Sequence, residues 1–117
     1  MKLTGKCKED FEKWIKKQKL SVIHDVGERQ MNVVPLGDMF VQLHESMQYG
    51  VYVDFFDSVN LFIEVIVVDV NDFSFQIFKK ESAKVLSVGS VFNIRSEART
   101  AAIEKANEIY NKTFKTI

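Results

Sequence analysis

Cysteine occurs once, at Cys7, which excludes an internal disulfide and a cysteine-built zinc cluster. Lysines are the only groups near that thiol that would lower its pKa, and it falls on the apolar stripe of a helix, so it is read as a packed group and not a nucleophile. Proline also occurs once, at Pro35. Histidine is limited to His24 and His44, each beside one acid, Asp25 and Glu45, with no third ligand at metal-binding spacing. No apolar run approaches the ~18 residues that a membrane-crossing helix needs, and the opening MKLTGKCKED has no signal-like apolar stretch. A cytoplasmic location without a membrane partner is the expectation. Glycine-rich phosphate loops and the serine elbow are missing as well, so no catalytic residue, metal or cofactor is assigned.

What is present is a long apolar hairpin. Leu61 to Lys79, LFIEVIVVDVNDFSFQIFK, reads as two strands about a turn at Asn71-Asp72, since Asn tolerates positive φ. That turn pairs Val70 with Phe73, Val68 with Phe75, Ile66 with Ile77 and Glu64 with Lys79. One face is then Phe62, Ile66, Val68, Val70, Phe73, Phe75 and Ile77. The other is Leu61, Ile63, Val65, Val67 and Phe78, too apolar to stay wet. These five residues, with Trp14 of the first helix as their other available cover, form the candidate interface. Either the Trp14 helix folds over that face or two copies pack it together as a homodimer.

The remaining chain supplies helices. Thr4 can cap a first helix with the stripe Cys7, Phe11, Trp14, Ile15 and Gln18. Residues 20–34 are a connector or short strands, Ser21 to Val26 and Met31 to Val34, about Gly27-Glu28. Asp38 can cap a second helix in which Met39, Leu43, Met47, Val51, Phe55 and Val59 recur every fourth residue, with Phe40, Tyr52 and Phe56 alongside. Local strand propensity at Val51 to Phe56 argues the other way. The periodicity predicts a helix to about Ser58, bent at Gly50, with Asn60 in the left-handed position after it. Val85 to Phe92 is a third strand that Gly89 ends or bulges, and Ser96 caps a last helix with the apolar face Ala98, Ala102, Ile103, Ala106, Ile109, Tyr110 and Phe114. The expected fold is α+β, a single domain over 1–117: a three-stranded antiparallel sheet packed with helices in the order α-α-β-β-β-α. Residues 1–34 form the N-terminal helix and connector, and 35–117 the core.

Zero net charge conceals three blocks: +4 over residues 1–20, −8 over 21–72 and +4 over 73–117. Basic and acidic faces that neutralise one another, within the fold or across a dimer, account for this pattern. Asp54 and Asp57 share a helical face and are expected to pair with Arg95, Arg99 or lysines, or to be solvated.

Two segments, YGVYVDFFDS at Tyr49 to Ser58 and SEARTAAIEKANEIYN at Ser96 to Asn111, resemble the small uncharacterised proteins of phages and other mobile elements, a resemblance that implies no activity. The helix, three strands and helix from Asp38 to Phe114 are also similar in topology to the double-stranded RNA-binding domain. That resemblance implies a clamp on A-form backbone, with Arg95 and Arg99 near the basic helix start. Ser96 and Glu97 depart from the basic pattern, and the loop Asp69-Val70-Asn71-Asp72 is acidic where a phosphate contact is expected. The expected function is a non-enzymatic interaction or accessory protein with a protein partner, itself included. The alternative is a nucleic-acid-binding module.

Overall fold

The computed structural model describes residues 1–24 and 30–114, and the side chains of 1–18 and 35–114. The helix α1 spans Gly5–Lys16, β1 Lys19–His24, β2 Gln30–Pro35, α2 Leu36–Met39, α3 Glu45–Ser58, β3 Leu61–Asp69, β4 Asp72–Lys79, β5 Val85–Val88 and α4 Arg95–Thr113. The expected α+β fold is present, with β3, β4 and β5 forming the antiparallel three-stranded sheet in that order. Of the two readings of the connector, the short strands are present: β1 and β2 pair antiparallel as a separate sheet, Lys19 opposite Pro35. The expected turn at Gly27-Glu28, and Asp25 beside His24, lie outside the described residues.

Residues 51–56 are helical, as the four-residue periodicity predicts over local strand propensity. Burial of Tyr52, Phe55 and Phe56 explains why tertiary packing overrides propensity there. The expected single helix from Asp38 is broken, however. Asp38 lies inside the one-turn α2, which Pro35 begins with φ −57°, and a 3₁₀ turn follows at Phe40–Gln42. Leu43 is extended with ψ 146°, and His44 then caps α3, its Nδ1 accepting from the Ser46 amide at 3.2 Å. The interruption falls there and not at Gly50. The histidine cap satisfies the Ser46 amide, which the break in the helix leaves free.

The hairpin register differs from the expected one by three residues. Leu61 faces Lys79, Ile63 faces Ile77, Val65 faces Phe75 and Val67 faces Phe73, and an irregularity between Val67 and Asp69 precedes the Asp69–Asp72 pair. The loop is Val70-Asn71, and Asn71 alone takes positive φ, 61°. Asn71 therefore sits second in the loop instead of first, where a β-branched Val70 at positive φ would be strained. Because side chains alternate, an odd shift exchanges the faces of β3. Leu61, Ile63 and Val65 join Phe75 and Ile77 on the inner face; Phe62, Glu64 and Ile66 stand with Phe78, Gln76 and Ser74 on the outer face.

Both α3 and α4 cover the inner face. Ala98, Ala102 and Ala106 are fully buried and let α4 approach the sheet closely, while Ile103, Phe55 and Phe56 fill the layer between. The helix α1 packs on the far side of this layer: Phe11 and Trp14 meet the Phe55 ring at centroid distances of 5.4 and 5.6 Å. Trp14 therefore covers α3 and not the sheet. Gly89 ends β5 where an added Cβ would stand 2.2 Å from the Phe75 ring, so a larger residue cannot fit without displacing it. The expected left-handed Asn60 is present with φ 71°.

Two asparagines of α4 hold the start of α1. The Asn111 carboxamide accepts from the Cys7 amide at 2.8 Å and donates to the Thr4 carbonyl at 2.9 Å. Asn107 accepts from the Thr4 amide at 2.9 Å and donates to its hydroxyl at 3.0 Å. Thr4 occupies the N-cap position, but its own side chain caps nothing; the cap comes from α4. Ser96 likewise does not cap α4, which begins one residue earlier after an extended Ile94. The Phe73–Phe92 bridge keeps the chain extended almost to that point.

Candidate interaction surfaces

Burial, then the neighbouring Asp10, pushes the Cys7 thiol up to about 12, which leaves it protonated and unreactive. Among the described residues no three metal-ligating side chains converge. An open cleft of about 490 Å³ lies between α1 and α2, lined by Leu3, Phe11, Ile15, Phe40 and Tyr52 with Lys2, Lys8 and Glu12 beside them, and holds no paired acid and base. No helix among the described residues is long and apolar enough to cross a membrane.

Asp54, Asp57, Arg95 and Arg99 do not come together. Asp54 is exposed, beside Leu43, Met47 and Val51. Burial and the nearby Asp54 raise the pKa of Asp57, offset in part by Lys80 and not by an arginine. The expected pairing with Arg95 or Arg99 is absent among the described residues. The arginines stack on aromatic rings instead: Arg95 lies 5.2 Å from the Phe73 centroid and Arg99 5.4 Å from that of Tyr49. Burial raises the Tyr49 hydroxyl despite the positive charge of Arg99.

Both arginines line a groove of about 450 Å³ with Tyr49, Ile63, Glu64 and Val65. It runs beside β3, an outer strand of the sheet. The direction of the backbone groups follows from the ladder. Phe73, Phe75 and Lys79 bond toward the β5 side, through Phe92, Gly89 and Lys84. Backbone groups alternate sides along an antiparallel strand, so Ser74, Gln76 and Phe78 bond to Ile66, Glu64 and Phe62. Ile63, Val65 and Val67 consequently aim their N–H and C=O groups out of the sheet. No backbone partner meets them among the described residues.

The second surface is the outer face of the sheet. Phe62 and Phe78 meet edge to face at 5.9 Å, and the Lys80 ammonium stands 5.7 Å from the Phe62 centroid. Ile66, Val85 and Val88 extend this face across all three strands. Phe62, Ile66 and Phe78 lie outside the core cluster, and Val85 and Val88 are 51% and 60% exposed.

Neither family models, nor curated proteins, nor solved structures match this chain. The surfaces therefore carry the functional reading. Of the expected interface residues, Leu61 is buried and Ile63 and Val65 pack against the core, because the register turns them inward. Val67 is exposed near the hairpin tip, Trp14 is half-buried on α1, and Phe78 lies on the open face. Sequence reasoning missed Phe62 and Ile66 as the open set. Their signal was the Phe62, Glu64, Ile66 alternation, in which a charged residue marks the water-facing row.

Proposed function

We propose that this chain is a non-enzymatic interaction protein, and that a second copy docks on the outer face of its sheet. The observation that carries the reading is the position of α1, which leaves Phe62, Ile66 and Phe78 outside the packed core. Phe62, Ile66 and Phe78 are half-buried, so a cover that completes their burial gains a part of the roughly 1.5–3 kcal/mol that full burial of each such side chain yields. Charge supports a copy of the same chain. The hairpin tip is acidic through Asp69 and Asp72, and the opposite end is basic through Lys79, Lys80 and Lys84. A twofold axis lying between the two sheets, parallel to their planes and perpendicular to the strands, brings the outer faces together and places each end over its complement, as an isologous interface requires.

Sedimentation equilibrium on the wild type and on Phe78→Lys tests this. The wild type should form dimers that the variant loses. A wild type that remains monomeric at high concentration overturns the dimer. Duplex RNA titrated at two salt concentrations is the second arm: binding that weakens steeply with salt would instead support the nucleic-acid reading.

A further inference from the structure

We propose that the free edge of β3 binds an extended acidic segment of a partner protein by strand addition, with Arg95 and Arg99 selecting its carboxylates. This inference rests on the reading of the chain as an interaction protein but uses a surface distinct from the outer face.

The edge has the properties that strand addition requires. It is nine residues long, contains no proline, and carries one charge, Glu64, before its terminal Asp69. Natural sheets normally blunt such an edge with charge, proline or a cover, because its unpaired groups template another strand. Here Ile63, Val65 and Val67 present outward N–H and C=O groups, so an incoming chain gains main-chain hydrogen bonds without disturbing the bonds to β4.

The arginines define the chemistry of the occupant. Each guanidinium stands over an aromatic ring, Arg95 over Phe73 and Arg99 over Tyr49, and its N–H groups can still donate to carboxylates. No carboxylate among the described residues pairs with either one, although Glu64 borders the groove. An added strand turns every second side chain toward the α3 and α4 side, where the arginines stand. Acidic residues at those alternate positions would meet Arg95 and Arg99. The intervening residues would extend the outer face beside Phe62 and Ile66, where apolar side chains fit. The recognised segment therefore alternates acidic and apolar residues.

A synthetic peptide alternating glutamate and valine, long enough to span β3, is the probe, titrated by fluorescence anisotropy at low and high salt. Binding should weaken with salt and fall by about tenfold or more in the Arg95→Ala/Arg99→Ala double variant. Val67→Pro supplies a backbone test: Val67 is 63% exposed and its N–H points outward, so proline removes an edge donor without removing a bond to β4. That variant should also bind at least several-fold more weakly, with thermal unfolding by circular dichroism confirming that both variants fold. Equal binding of a peptide alternating lysine and valine, or unchanged affinity in both folded variants, overturns the proposal. Sedimentation with and without the glutamate peptide separates the two readings: a dimer with no peptide binding overturns the edge site alone.

Discussion

The junction of α1 with α4 and the outer side of the β3–β5 sheet are built on opposite terms. At the junction the polar groups of Thr4 and the Cys7 amide find partners within the chain. Asn107 and Asn111 satisfy Thr4 and Cys7, and the Tyr110 hydroxyl donates to Asp10, which also pairs with Lys6 at 3.1 Å. On the sheet, Phe62, Ile66 and Phe78 stay half-buried outside the core cluster, and the edge backbone groups of β3 meet no backbone partner among the described residues. Local chemistry can complete a helix end with two carboxamides. A sheet face needs a whole additional layer, and this chain spends its remaining helix elsewhere.

Substitutions should separate the two regions sharply. Ile103→Ala or Phe55→Ala, both in the buried layer, should cost about 2–5 kcal/mol, whereas Val88→Ala on the open face should change monomer stability by less than ~0.5 kcal/mol. Urea denaturation at low protein concentration measures both. Equal losses would show that the open face is covered within the monomer.

A smaller loss, about 1–2 kcal/mol, is expected for Asn111→Ala, which strands the Cys7 amide and removes the bond to the Thr4 carbonyl. Hydrogen exchange should show the first turn of α1 opening while the amides of β4 remain protected. Protection lost equally in both places would mean that the junction and the sheet unfold as one unit.

The pH dependence of the junction should have two limbs. Burial alone would raise Asp10, but hydrogen bonds from Tyr110 and Lys6 outweigh it and the pKa is lowered. This contribution is present above the unfolded carboxylate value of about 3.9 and is lost as pH falls through the folded value. Burial, reinforced by Asp10, raises the Tyr110 phenol. Its contribution is complete below the unfolded value of about 10 and is lost as pH rises beyond it. Melting temperatures of the wild type and Tyr110→Phe across this range should converge at both extremes and differ most between them.

The smallest effect is expected at Asp57. Its pKa is raised by burial and by Asp54, so the charged form is slightly disfavoured by folding at neutral pH. Asp57→Asn should increase the melting temperature slightly at pH 7, and the gain should vanish in acid once the carboxyl is protonated. A decrease at neutral pH would mean that the attraction of Lys80 dominates.

Much of the fold was legible from local patterns. The four-residue recurrence through Phe55 indicated the helix across residues 51–56, and Asn60 marked its left-handed exit. The face assignment was not legible, because both rows of β3 are apolar and Asn71 can serve either position of a short loop. The asparagine clamp was equally hidden: Asn107 and Asn111 look like polar residues beside an apolar stripe, although their i, i+4 spacing places them on one helical face.

By itself, then, the sequence determined the kinds and order of the main elements, since helical and strand periodicities are set by backbone geometry over a few residues. Only the tertiary structure decided which face of β3 turns inward, where Trp14 packs, and that Arg95 and Arg99 face a strand edge apart from Asp54 and Asp57. Those outcomes depend on loop register and on the packing of distant helices, and a one-dimensional pattern with two apolar faces leaves both undetermined.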